Sequence, residues 1–359
     1  MTIRVGLIGL GEVAQLMHLP LLADDARYRI AAVSDVSPSL TAHIAQRYGA
    51  RAHADAEALL GDKDVDAVFI LTPDHLHADL LARAMDAGKH VFIEKPACLN
   101  VEQLLPLIER ARGYAKTIFV GYMRRFARPF LELKKRLPAL NEVQHVRVRD
   151  LICEAPFFVA QTRPVFKPTD VPQGVIDEGR ARTQAMLRAV VGADAPAAVV
   201  RGYQVLTGLS SHSFSAMREL LGVPRVFAAR QRNGGEAIAV LFDYGHFTAV
   251  YEAVTNHIAR FDSGIDVLCD RAMFKINYDT PYIRHLPTRL EIPRSGDRET
   301  TTEIIGPFHE DPFRAELDAF HEAVVNGGPV KTTLEDSLDD LKLFAQIGKL
   351  FAEEARATT

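Results

Sequence analysis

The chain has 359 residues, 48% of them hydrophobic and 25% charged, with a formal net charge of -4. That length suits about two domains with ordinary buried cores. The charge gives no footing for nucleic-acid or membrane-surface binding. Three cysteines without CxxC spacing, Cys98, Cys153 and Cys269, argue against a disulfide framework and read as reduced, cytoplasmic thiols. No apolar stretch reaches the length of a membrane span, and the N-terminus runs into a strand pattern instead of a signal peptide.

Five short apolar runs come first: 3–8, 29–34, 65–71, 90–93 and 117–121. Helical patterns separate them, at 14–23, 39–48, 54–60, 77–87 and 101–114. This alternation predicts βαβ units and a doubly wound parallel sheet, a Rossmann domain over residues 1–123. The pattern then changes. A longer strand is expected at 143–152, an irregular proline-rich stretch at 156–174, and a helix at 175–191. From Arg201 to Asn277 β-rich runs follow closely, with Asn233-Gly234-Gly235 as a hairpin turn. A helix at 214–221 precedes most of them, and two more, 312–326 and 334–355, close the chain. Residues 124–359 therefore read as an α+β domain with a mainly antiparallel open sheet. The last helix is free to pack back on the Rossmann domain.

Gly9-Leu10-Gly11-Glu12-Val13-Ala14 follows a strand pattern and opens a helix, the G-x-G-x-x-A form of the dinucleotide fingerprint. Gly9 permits the tight turn, Gly11 admits a pyrophosphate, and Ala14 allows close helix–strand packing. The helix start offers unpaired N–H groups to phosphate. Asp35 ends the second strand about 20 residues further on, where a carboxylate accepts the ribose hydroxyls. It also repels a 2′-phosphate, so NAD is favoured over NADP. Glu94-Lys95-Pro96 ends the fourth strand, at the carboxyl end facing the crevice where such folds bind ligands, and makes Lys95 the candidate proton-transfer group. A free lysine has a pKa of about 10.4 and needs lowering to about 7–8 to act as a base at neutral pH. The basic run Arg124-Arg125-Phe126-Ala127-Arg128 reads equally as a solvated helix start or a phosphate clamp. His75 and His77 lack a matching Cys/His cluster, so no metal site is expected.

Four strings together resemble the Gfo/Idh/MocA family, the glucose–fructose oxidoreductase and inositol dehydrogenase group. They are the fingerprint, Thr72-Pro73-Asp74-His75-Leu76-His77, Ala87-Gly88-Lys89-His90-Val91-Phe92-Ile93-Glu94-Lys95-Pro96, and Val120-Gly121-Tyr122-Met123-Arg124-Arg125-Phe126. Thr333-Leu334-Glu335-Asp336-Ser337 looks like the family's closing helix start. The resemblance implies an NAD(P)-dependent dehydrogenase or reductase of sugars, polyols or cyclitols. It further implies that residues 124–359 bind substrate and build a homodimer or homotetramer through their sheet. Thr72 and Pro73 would border the nicotinamide ribose, His77 would lie near the cofactor, Arg124 or Arg125 would lie near cofactor or substrate, and Glu94 and Lys95 would face the nicotinamide half, with Lys95 in the catalytic position. His212 matches the family's second-domain histidine. The aspartate usual four residues earlier is Gly208, and the acid usual three residues later is Ser215, so the Lys–Asp–His trio is incomplete, with Glu154, Asp177 and Glu178 as candidate replacements if any acid takes that place. Two other activities stay open by the same resemblance: glycoside cleavage assisted by held NAD without net redox change, and a non-catalytic sugar or NAD sensor.

Overall fold

The computed structural model describes residues 1–162 and 164–358. They form two compact units: Met1–Tyr122 with Arg163–Met186 and Glu316–Leu338, and Met123–Thr162 with Leu187–Ala315 and Asp339–Thr359.

The first unit holds a six-stranded parallel sheet of β1 (Ile3–Ile8), β2 (Tyr28–Ser34), β3 (Arg51–Ala52), β4 (Ala67–Ile70), β5 (His90–Glu94) and β6 (Ile118–Gly121), in the order β3-β2-β1-β4-β5-β6. The order reverses between β1 and β4. That reversal opens a crevice at the strands' carboxyl ends, where doubly wound folds bind ligands. The strands are near-continuous apolar runs because helices cover both faces. Phe69, Phe92 and Phe119 share one row of the register and stack at 4.7 and 5.5 Å between centroids. Phe320 sets its edge against all three. This aromatic block fixes β4, β5 and β6 beneath the residues that follow them.

The second unit holds an eight-stranded sheet. Its strands are β7 (Val143–Cys153), β8 (Arg225–Arg232), β9 (Ala237–Asp243), β10 (Thr248–Asn256), β11 (Phe261–Cys269), β12 (Met273–Tyr278), β13 (Thr288–Ser295) and β14 (Thr300–Phe308), in the order β14-β13-β12-β11-β7-β10-β9-β8. All its pairs are antiparallel except β10 with β7. The long helical excursion between β7 and β8 is what lets β10 return parallel to β7. The predicted hairpin turn joins β8 to β9, with positive φ at Asn233, Gly234 and Gly235. On the inner face Phe214 sets its edge on Phe242 and Tyr251 and packs on Phe344.

Two local expectations need correction. Residues 201–205 do not begin a β-rich stretch; they end a helix, Ala197–Val205. Its β-branched run reads as strand, but Val199, Val200, Tyr203 and Leu206 are buried at helical spacing. The following helix begins at Ser211, ahead of the expected 214, and a π-wound turn, Leu206–Ser210, leads into it. The β13–β14 hairpin gave no sequence signal, because β14 is exposed along nearly its whole length and carries no apolar alternation.

Candidate functional site

The loop after β1 makes the turn that the fingerprint demands. Gly9 sits at φ 89°, where its N–H donates to Ser34 O, and a Cβ there would stand 2.7 Å from the Leu71 carbonyl carbon. Only glycine fits this position without strain. At Gly11 a Cβ would meet nothing within 4 Å, so the backbone there faces open space. A helical run follows, π-wound over Ala14–His18 and α-wound over Leu19–Ala23.

Asp35 lies just past β2. Its Oδ2 accepts the Leu10 N–H at 2.8 Å and its Oδ1 accepts the Ser37 N–H at 2.9 Å. The carboxylate is thus tied to the fingerprint loop, and each oxygen keeps acceptor capacity for a further hydroxyl. A cavity of about 930 Å³ opens over this corner. Gly9, Gly11, Glu12, Val13, Asp35, Thr72 and Pro73 line it, together with Gln15 and the strap Val165–Pro168. Of the first unit's other expected site residues, Ala14 is buried beneath the loop, while His77, Glu94 and Lys95 stand outside this lining. The cavity, the positive φ of Gly9 and the placement of Asp35 fit a dinucleotide.

His77 is 1% exposed and bridges two strand ends, with Nδ1 2.7 Å from Pro96 O and Nε2 2.8 Å from Thr72 O. His75 contacts the Thr183 hydroxyl at 3.1 Å. Among the described residues no group of three or more His, Cys, Asp and Glu is placed to hold a metal.

Lys95 is half-buried at the end of β5. Three anchors fix its backbone. Val91, Phe92 and Ile93 are fully buried, the Pro96 carbonyl is held by His77, and Asn100 caps the next helix, Val101–Ala111, through the Gln103 N–H at 2.9 Å. Glu94 Oε1 lies 2.8 Å from His18 Nε2, and Glu94 Oε2 accepts the Lys95 N–H at 3.2 Å. Burial pushes the Glu94 carboxyl up, but the His18 hydrogen bond and charge and the Lys95 charge together hold it below its ordinary value. His18, fully buried with its ring edge-on to Phe69 and Phe92, was missed in the sequence. The available signal was its place one helical turn after Ala14, on the face turned to the sheet.

In the second unit, Arg124 and Arg125 form neither a solvated helix start nor a free clamp. Both are buried. Arg124 Nη1 donates to Asp150 Oδ1 and Ser213 Oγ, each at 2.7 Å, and Arg125 pairs with Glu219 at 2.5 Å. Asp150 also accepts the Ser263 hydroxyl at 2.7 Å and lies 2.9 Å from the Tyr251 hydroxyl, which is 2.7 Å from Ser210 Oγ. Burial, then the Asp150 charge, push the Tyr251 hydroxyl well above its ordinary pKa and keep it a donor. Ser210 and Ser213 flank His212 in sequence, so this network anchors the helix start that carries the histidine. Glu154, Asp177 and Glu178 are exposed, whereas Asp150 is the acid buried under that helix start. A Cβ on Gly208 would meet nothing within 4 Å, so sterics do not forbid a side chain there.

Residues 3–122 match the family described as "Oxidoreductase family, NAD-binding Rossmann fold". Inositol 2-dehydrogenase of Rhizobium meliloti is 33% identical over 158 residues, 44% of this chain and 47% of that protein. Myo-inositol 2-dehydrogenase of Thermotoga maritima is 33% identical over 135 residues, 37% of this chain and 40% of that protein. The matches therefore span under half of those relatives' lengths. The structure of KijD10, a 3-ketoreductase from Actinomadura kijaniata in complex with NADP and TDP-benzene, aligns with a TM-score of 0.73 at 22% identity, over 97% of both chains. That likeness establishes a shared fold for both units. Among the described residues no helix is long and apolar enough to cross a membrane.

Proposed function

We propose, from the match of residues 3–122 to the Gfo/Idh/MocA oxidoreductase family, an NAD-dependent enzyme that moves a hydride between nicotinamide and a secondary hydroxyl or ketone of a sugar, polyol or cyclitol. The observation that carries the reading is the fingerprint cavity with Asp35 fixed at its rim, in the same parallel sheet whose β5 ends on Lys95. The named relatives, both inositol dehydrogenases, support the substrate class.

Bound NAD would supply the hydride acceptor. The N–H groups at the start of the helix after Gly11 would hold its phosphates, and Asp35 its adenosine ribose hydroxyls. Thr72, Pro73 and His77 would shape the wall toward the nicotinamide ribose. The Lys95 Nζ would take the substrate's hydroxyl proton in oxidation and return it in reduction. The anionic Glu94 would balance the charge beside it, held by His18. His212 would serve as hydrogen-bonding partner or alternate acid/base, in place of the trio that Gly208 leaves incomplete. Arg124, buried and held by Asp150 and Ser213, would brace its own unit in preference to contacting the cofactor.

Asp35 favours NAD because a 2′-phosphate would face its carboxylate, and neither Val36 nor Ser37 offers a cation. Asp35→Ala is expected to lower kcat/KM with NAD by roughly 10–100-fold, the worth of hydrogen bonds to a charged group, and to lower it less with NADP. Parallel kinetics with the two cofactors check this; equal losses would detach Asp35 from cofactor choice. We read the protein as cytoplasmic, in keeping with three free cysteines, and as a homodimer or homotetramer through the second sheet, which light scattering tests. A panel of sugars, polyols and inositols with NAD and NADP, followed at the NADH absorbance, tests the activity. Aglycone release without net NADH would replace dehydrogenation by glycoside cleavage. Sugar-dependent NAD binding without turnover would make the protein a sensor.

A further inference from the structure

The strap Val165–Pro168 belongs to the first unit although it lies some 150 residues beyond the fingerprint. Three latches hold it there. The Gln15 side-chain amide grips both backbone groups of Phe166: its Nε2 donates to Phe166 O at 3.1 Å, and its Oε1 accepts the Phe166 N–H at 2.8 Å. The same Nε2 donates to Leu10 O at 2.9 Å, which ties the strap to the fingerprint loop itself. The Phe166 ring stacks on His43 at 4.6 Å. Further on, Asp170 accepts the Ser37 hydroxyl at 2.5 Å and the Ser39 N–H at 2.8 Å, at the start of the helix that follows Asp35.

The strap brings Lys167 to the cavity rim, with Nζ 3.7 Å from Glu12 Oε1. The charges around the cavity make this lysine matter. Among the described residues its lining carries four acids, Glu12, Asp35, Asp55 and Asp79, and two cations, Arg83 and Lys167. Arg83 is committed to Glu57 at 2.5 Å and to Asp79 at 3.6 Å. A dianionic pyrophosphate entering such a rim meets repulsion that the helix N-terminus offsets only in part. Lys167 holds Glu12 by a long contact between two partly exposed side chains, 73% and 38% accessible, so its ammonium can turn to a phosphate at little cost. The open space at Gly11 leaves room for one beside it.

We infer that Lys167, carried on the latched strap, is the cation that binds the dinucleotide's pyrophosphate and neutralises the acidic rim at Glu12. This inference rests on the proposed dinucleotide site. It assigns a phosphate-binding residue outside the fingerprint, supplied by the segment that returns to the nucleotide-binding unit.

Binding titrations on the full chain test it, with NADH and with adenosine, which lacks phosphate. Lys167→Ala is expected to weaken NADH binding about 5–10-fold, between the worth of an exposed ion pair and that of a charge-assisted hydrogen bond. Adenosine affinity should stay within twofold, Lys167→Arg should restore NADH binding, and the NADH effect should shrink as salt rises. Wild-type NADH affinity in Lys167→Ala, or equal losses for NADH and adenosine, would overturn the inference and leave the site standing. Wild-type protein that binds neither ligand would instead overturn the site.

Discussion

Lys95→Met is expected to lower turnover by about 10²–10⁴-fold, the usual contribution of a positioned acid/base group, while NADH binds as in the wild type. Methionine keeps most of the length and apolar bulk of lysine and removes only the titrating nitrogen. The backbone at this position is fixed by buried β5, by His77 on Pro96 and by the Asn100 cap, so the substitution should not disturb the loop. The split between lost kcat and retained NADH affinity separates a proton-transfer role from a binding role. Wild-type turnover in Lys95→Met would show that Lys95 only balances the Glu94 charge. Equal loss of affinity and turnover would make it a binding residue.

Asp150→Ala is expected to destabilise the second unit by about 3–5 kcal/mol, because it strands the buried Arg124 guanidinium without its carboxylate. On a unit of this size that loss lowers Tm by roughly 10 °C. Arg124 is 2% exposed and Asp150 fully buried, so water replaces neither partner. Ser263 and Tyr251 lose an acceptor at the same time. Because the network reaches Ser210 and Ser213, the helix start around His212 should loosen with it. Thermal unfolding followed by circular dichroism reads the effect. A Tm within about 2 °C of wild type would correspond to less than ~1 kcal/mol and would show that Arg124 finds another acceptor.

The parts legible from sequence were those whose cause is local. Gly9 needs a positive φ within its own turn, Asp35 follows its strand directly, and Lys95 ends an unbroken apolar run, so each announced itself within a few residues. The alternation of short apolar runs with helical patterns gave the parallel sheet, and the Asn233-Gly234-Gly235 turn gave the β8–β9 hairpin. What stayed hidden depends on partners far along the chain. Gln15 meets Phe166 across 151 residues, and Asp150 meets Ser263 across 113. No periodicity records such pairs. The basic run at Arg124 left a solvated helix start and a phosphate clamp equally open, because nothing local records that two of its arginines pair with Asp150 and Glu219, contributed by a later strand and helix. The helix Ala197–Val205 misled because its valines favour strand until packing places them on one helical face.

Everything proposed for the chemistry depends on the cavity at Gly9–Asp35 holding a dinucleotide, and calorimetric titration of the intact protein with NAD tests that most directly. The account predicts saturable binding near one NAD per chain, displaced by ADP-ribose, with weaker binding of NADP. Absence of binding by either cofactor would contradict it and remove Lys95, His212 and Lys167 from the roles assigned to them.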